Sequence, residues 1–117
     1  MNYGLGLCSE WVNMRSYGSE GCSVLSTEGP SCCSKFNDAE AVLSNLGLIS
    51  LFVMNMEGYE YLLLPYLIGS KMIRRIQSLA VQFHPNFCNV DLRPALKEHY
   101  GEAVYMDYPD WSYWKCR

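Results

Sequence analysis

The sequence has little charge, and no surplus of the basic kind. Nine Lys and Arg stand against twelve Asp and Glu in 117 residues, a net charge of −3. A protein that grips phosphate backbones needs the opposite balance, so no nucleic-acid partner is expected. No apolar run approaches the ~20 residues of a membrane span. The longest, Leu48–Met54 and Tyr61–Ile68, are short and interrupted, so no membrane span is expected. Met1-Asn2-Tyr3-Gly4 places no basic patch ahead of an apolar stretch, which argues against a secretory leader and for a cytoplasmic location. No C-x-x-C pair occurs among the six cysteines, and Cys32 and Cys33 are adjacent, a poor start for a tetrahedral zinc site. Outside a secretory context an even cysteine count does not imply a disulfide framework, so reduced thiols are expected. A metal site drawn from Cys22, Cys32, Cys33 and His84 or His99 is the alternative that this spacing disfavours.

What is present suffices for one folded domain. Half of the residues are apolar, and a chain of this length can bury roughly two thirds of the surface that its unfolded form exposes. Residues 1–36 read as an irregular lead-in, rich in glycine and serine, with turns and short strands such as Val24-Leu25. From residue 37 the pattern changes. Asn37 or Asp38 can cap a helix that carries Ala39, Val42, Leu43 and Leu46 on one face and stops at Gly47. Leu48–Met54 is nearly continuous in apolar residues and predicts a strand buried on both faces.

After the polar turn Asn55-Met56-Glu57-Gly58, a helix is expected over Tyr59–Ile68, with Leu62, Leu63 and Leu67 inward and Pro65 shortening or kinking it. Met72–Ile76 suggests one further turn, and Gln77–Phe83 a second strand ending at His84-Pro85. Asp91 can cap a helix over Leu92–Tyr100, with Pro94 tolerated in its first turn. A third strand is expected at Ala103–Tyr108 and a last edge strand at Trp111–Trp114. Such alternation implies an α/β fold with a mostly parallel sheet and helices on both faces.

In open α/β sheets ligands bind beyond the carboxyl ends of the strands. Two places meet that condition: Asn55-Met56-Glu57-Gly58 and Gln82-Phe83-His84-Pro85. If their strands are neighbours, Asn55, Glu57 and His84 share one cleft. An amide, a carboxylate and an imidazole together can orient a hydroxyl and take its proton, and an unperturbed imidazole titrates near ~6.5. The plainer reading is that the Asn-Glu-Gly turn only caps the next helix.

The segment Asn55-Met56-Glu57-Gly58-Tyr59-Glu60-Tyr61, followed by Leu62-Leu63-Leu64-Pro65, resembles the Asp/Asn-Ile-Glu-Gly-x-Glu signature of FkbM-type methyltransferases. Ile76–His84 is similar to the family's strand ending in Glu/Gln-Phe-His, and Tyr108–Trp114 to its aromatic tail. The resemblance covers about residues 38–114. It implies a partial Rossmann-like, class I fold that uses S-adenosylmethionine and methylates hydroxyl groups, often on sugars or other natural products. It puts Asn55 and Glu57 at the mouth of the transfer cleft and His84 on the opposing strand end. His84 would be the base or hydroxyl-orienting group, Glu57 a hydroxyl acceptor and Asn55 a cleft-lining contact.

Two departures qualify what the resemblance implies. Many members carry Asp where Asn55 stands, and Asn keeps the size but not the charge. Gly4-Leu5-Gly6, the one G-x-G, has only three residues before it and no strand–turn–helix context, so the cofactor-binding strands have no counterpart. The expectation is therefore a methyltransferase-like C-terminal half over residues 37–117, truncated and inactive alone or completed by a second copy or a complementing chain. The competing reading is a non-catalytic module that docks through an open sheet edge at Leu48–Met54.

Overall fold

At Asp38 a strand gives way to a helix, because the Asp38 carboxylate accepts the Glu40 N–H at 3.0 Å and caps the first turn. The computed structural model describes residues 4–16, 22–23, 25, 31–107 and 111–116. In chain order its elements are β1 (Gly4–Gly6), β2 (Glu10–Ser16), β3 (Cys22–Ser23), β4 (Ser31–Asp38), α1 (Ala39–Ser44), β5 (Phe52–Met54), α2 (Glu60–Gly69), β6 (Ser78–Gln82), α3 (Arg93–Tyr100), β7 (Tyr105–Asp107) and β8 (Trp111–Lys115). A single 3₁₀ turn, Met72–Arg75, lies between α2 and β6. The result is a small α/β fold with two mixed sheets, ordered β1-β4-β2-β3 and β5-β6-β8-β7. Among the described residues no helix is long and apolar enough to cross a membrane.

The mostly parallel sheet expected from the alternation of elements does not form. Among the described strands β1–β4 and β5–β6 pair in parallel, and the other pairings are antiparallel. The cause in the second sheet is β8. It pairs antiparallel with β7, from which only three residues separate it in sequence, and also antiparallel with β6. A short connection permits only that direction, since a parallel return needs a crossover of a dozen residues or more. The expected edge position of Trp111–Trp114 is corrected too. β8 lies between β6 and β7, with Ser112 and Trp114 buried on its inward face.

Residues 4–38 supply the first sheet. β2 runs seven residues and β4 eight, and β4 continues across residue 36, where the sequence reading ends its lead-in. Phe36 is the buried anchor of β4. The expected strand at Val24-Leu25 includes Val24, which lies outside the described residues.

Leu48–Met54 departs from its expected burial on both faces. Met54 is buried and Phe52 partly so, but Leu48, Leu51 and Val53 are 71%, 53% and 59% exposed. Successive residues of an extended chain point to opposite faces, so Leu51 and Val53 lie opposite the face of Phe52 and Met54 that meets the core, while Leu48 precedes the strand. β5 is also the terminal strand of its sheet. α2 runs through Pro65, which is exposed, and buries Leu63, Leu64 and Leu67 while Leu62 stays on the surface. Asp91 accepts the Arg93 N–H at 3.0 Å at the start of α3, with Pro94 in the first turn.

Candidate functional site

β5 and β6 are parallel neighbours in constant register. Phe52 faces Leu79, Met54 faces Val81, and Ile49 bridges Ile76. Partners differ by 27 positions at each step, and Glu57 and His84 are separated by the same number, so both leave the sheet side by side at its carboxyl end. The crossover through α2 and the 3₁₀ turn makes this a β–α–β unit, and the corner lies where such sheets bind ligands.

The turn after β5 is held in a demanding conformation. Glu57 has φ +51° and Gly58 φ +99°. A Cβ at Gly58 would come within 2.7 Å of the Phe87 ring, so glycine is required on both counts. A non-glycine residue in the left-handed region costs roughly 1–2 kcal/mol, so Glu57 stays there because its surroundings hold it. The buried Ser23 hydroxyl donates to the Glu57 carbonyl at 2.6 Å and accepts the Leu25 N–H at 3.0 Å, tying the first sheet to this turn.

The side chains then converge. His84 Nε2 lies 3.2 Å from Glu57 Oε2, and Nδ1 lies 2.9 Å from Glu60 Oε1. The same Glu60 oxygen accepts the His84 backbone N–H at 2.8 Å, while Oε2 accepts the Gly58 N–H at 2.9 Å. The Glu60 side chain has no exposure, His84 has 13% and Glu57 22%, so the chain of groups opens to solvent on the Glu57 side. A buried carboxylate is tolerated when its oxygens are hydrogen-bonded, and the first turn of a helix favours negative charge. Both imidazole nitrogens face a carboxylate. A doubly protonated ring satisfies both contacts. A neutral ring protonated at Nδ1 keeps Glu60 but sets its Nε2 lone pair against the Glu57 carboxylate, a contact that must be given up before Nε2 can accept a proton from a hydroxyl.

Asn55 is exposed and, with Glu57, lines a pocket of about 260 Å³ between the turn and the first sheet, walled by Met14, Phe36, Met56 and Tyr59. Tyr59 joins the two bodies: its ring packs edge-on against Phe36 at 5.1 Å, and its hydroxyl accepts the Leu7 N–H at 3.2 Å. Burial pushes the Tyr59 phenol above its ordinary pKa, which keeps it neutral against this wall. The structure thus brings Glu57 and His84 into contact and sets Asn55 beside Glu57 at the pocket. Glu60, to which sequence reasoning assigned no role, completes the arrangement. Its signal was a second glutamate three residues after Glu57, at the start of a helix.

Compared with known protein families, with curated proteins and with solved structures, the chain matches none. The chemistry of the corner therefore carries the argument. At this corner the described residues form no complete cradle for S-adenosylmethionine. Gly4 and Gly6 lie within β1, and a Cβ at either would meet the Phe36 ring at 2.8 Å, so the room they leave is already filled. The pocket of about 260 Å³ also falls short of the roughly 300–1,000 Å³ of small-molecule sites. The residues around this pocket do not fit the whole cofactor.

Among the described residues no group of three His, Cys, Asp or Glu side chains is placed to hold a metal ion. Of the residues weighed for such a site, the side chains of Cys22 and Cys32 lie outside the description, and Cys33 is an exposed free thiol. His99 packs edge-on against Tyr100 at 4.5 Å, and burial holds its pKa below the usual value.

Proposed function

We propose that this chain is an O-methyltransferase-like protein whose described residues supply the acceptor side of the reaction. One observation carries the reading: Glu57 and His84, expected from sequence to share a cleft, meet at 3.2 Å beyond the carboxyl ends of adjacent parallel strands. In this reading a hydroxyl of a sugar or other natural product enters beside Glu57. The Glu57 carboxylate accepts a hydrogen bond from the acceptor, and Asn55 orients it from the pocket wall. His84 Nε2 takes the hydroxyl proton, leaving the oxygen as nucleophile and the ring as imidazolium between two carboxylates. S-adenosylmethionine is the donor that the family resemblance implies. Because it finds no complete cradle here, the proposal for this chain is confined to binding, orienting and deprotonating the alcohol. The same reading makes it a cytoplasmic protein, in keeping with the unpaired thiols of Cys8, Cys33, Cys88 and Cys116.

The test is to titrate the protein with a panel of simple sugars and with their methyl ethers, following the His84 ring and the amides of residues 55–58 by NMR. Saturable perturbation by a hydroxylated compound, weakened in its methyl ether and lost in Glu57→Gln, supports the reading. Perturbation by none of them, or equally by alcohol and ether, removes it. Calorimetry with S-adenosylmethionine in parallel reads whether the donor binds this chain alone.

A second reading is docking of another copy of this chain at the β5 edge. The observation favouring it is Val53, exposed on a terminal strand, with Leu48 and Leu51 exposed in the segment that leads into it, since open apolar edges template pairing.

A further inference from the structure

We infer that Glu60 is a positioning residue, and that its task is to set which nitrogen of His84 faces the acceptor. The inference deepens the function proposed above and rests on it, but the geometry behind it is separate. Glu60 is fully buried, and both of its oxygens receive backbone N–H groups, from Gly58 at 2.9 Å and from His84 at 2.8 Å. A backbone N–H can only donate, so Glu60 is an acceptor at each of these contacts. Its Oε1 also lies 2.9 Å from His84 Nδ1. An ionised carboxylate has no hydrogen to give, so its contact with Nδ1 is a hydrogen bond only when Nδ1 carries the proton. Glu57 Oε2, 3.2 Å from Nε2, competes for that proton by the same rule, but Glu60 makes the shorter contact and is fixed by two backbone donors, so the neutral ring takes the Nδ1–H tautomer and its Nε2 lone pair displaces the partly exposed Glu57 carboxylate. In the opposite tautomer Nε2 would carry the proton and could not accept one from a hydroxyl.

A second consequence follows from the span of these bonds. Gly58 belongs to the turn after β5, and His84 to the segment after β6. One carboxylate thus fixes both strand ends and the ring together, so the base cannot rotate without breaking a buried contact. Orientation by a buried carboxylate on the far nitrogen is a general way of making an imidazole a directed base.

The experiment is a long-range ¹H–¹⁵N spectrum of protein labelled in its two histidine rings, recorded where both rings are neutral, with His84→Asn identifying the His84 signals. The native spectrum is expected to show a protonated Nδ1 and an unprotonated Nε2. In Glu60→Ala the protonated Nδ1 signal is expected to be lost, with the proton moving to Nε2 or averaging between the two. A native ring protonated at Nε2, or a Glu60→Ala ring unchanged from native, overturns the inference. If Glu60→Ala does not fold, the native spectrum decides alone. No donor or acceptor is present in these samples. Failure of every sugar to perturb His84, with the Nδ1–H signature intact, therefore counts against the proposed function and not against the positioning role.

Discussion

The carboxylate of Glu60 receives the backbone N–H of His84 at 2.8 Å and lies 2.9 Å from the Nδ1 of the same residue, with no solvent exposure of its own. Two segments 24 residues apart in sequence are joined by this one side chain. Its removal leaves the Gly58 and His84 N–H groups buried without an acceptor. Each such loss costs about 1–3 kcal/mol, so Glu60→Ala is expected to lower stability by roughly 2–6 kcal/mol. Urea unfolding monitored by tryptophan fluorescence measures this, and an unchanged midpoint would contradict the buried network.

Glu57 and Lys71 both hold positive φ, at +51° and +65°. Glycine at either position relieves backbone strain but adds freedom to the unfolded chain. The net expectation is a change between zero and a gain of roughly 1 kcal/mol. The two variants separate in function. Glu57→Gly should lose hydroxyl-dependent perturbation of His84, while Lys71→Gly, at the exposed start of the 3₁₀ turn, should retain it. Thermal unfolding and the sugar titration together make the comparison.

Gly58→Ala combines a φ of +99° with a Cβ 2.7 Å from the Phe87 ring. Loss of at least about 1–3 kcal/mol is expected, and the cost should fall when Phe87 is also shortened to Leu. A double-mutant cycle reads the coupling.

The Tyr66 hydroxyl donates to Asp38 at 2.7 Å, and that hydrogen bond, with some burial, raises its pKa well above the ordinary tyrosine value. Burial raises that of Tyr100 in the same direction. A folded-state pKa raised above the unfolded one means that the stabilisation is fully present below about pH 10. It is lost as pH climbs through the folded-state value. Stability should therefore decline above about pH 10, and Tyr66→Phe should flatten part of that decline. Urea midpoints from pH 8 to 11 test this, and identical slopes in the two proteins would refute it.

Val53 is exposed on the terminal strand β5. Val53→Lys is expected to change stability by no more than about 0.5 kcal/mol. If the edge docks a second copy, the substitution should shift sedimentation at high concentration toward monomer. A native protein that sediments as monomer throughout eliminates that reading.

Local sequence determined what local physics controls. Asp38 and Asp91 announce helix starts, because a short carboxylate reaches its own backbone within two residues. Apolar spacing located α2, Asp91 with Pro94 located α3, and β6 was legible to within a residue at each end. The order strand–turn–helix–strand also brought Glu57 and His84 under suspicion as a pair. Only the tertiary structure decided the rest, because pairing and burial depend on residues remote in the chain. Nothing near Trp111 states that β8 will slot between β6 and β7, and nothing in Ser31–Asp38 specifies a long strand until Phe36 finds its place in the core. The exposure of Val53 follows from the face of β5 that it occupies, opposite the core, and the importance of Glu60 from two backbone donors that converge on it only after the parallel strands align.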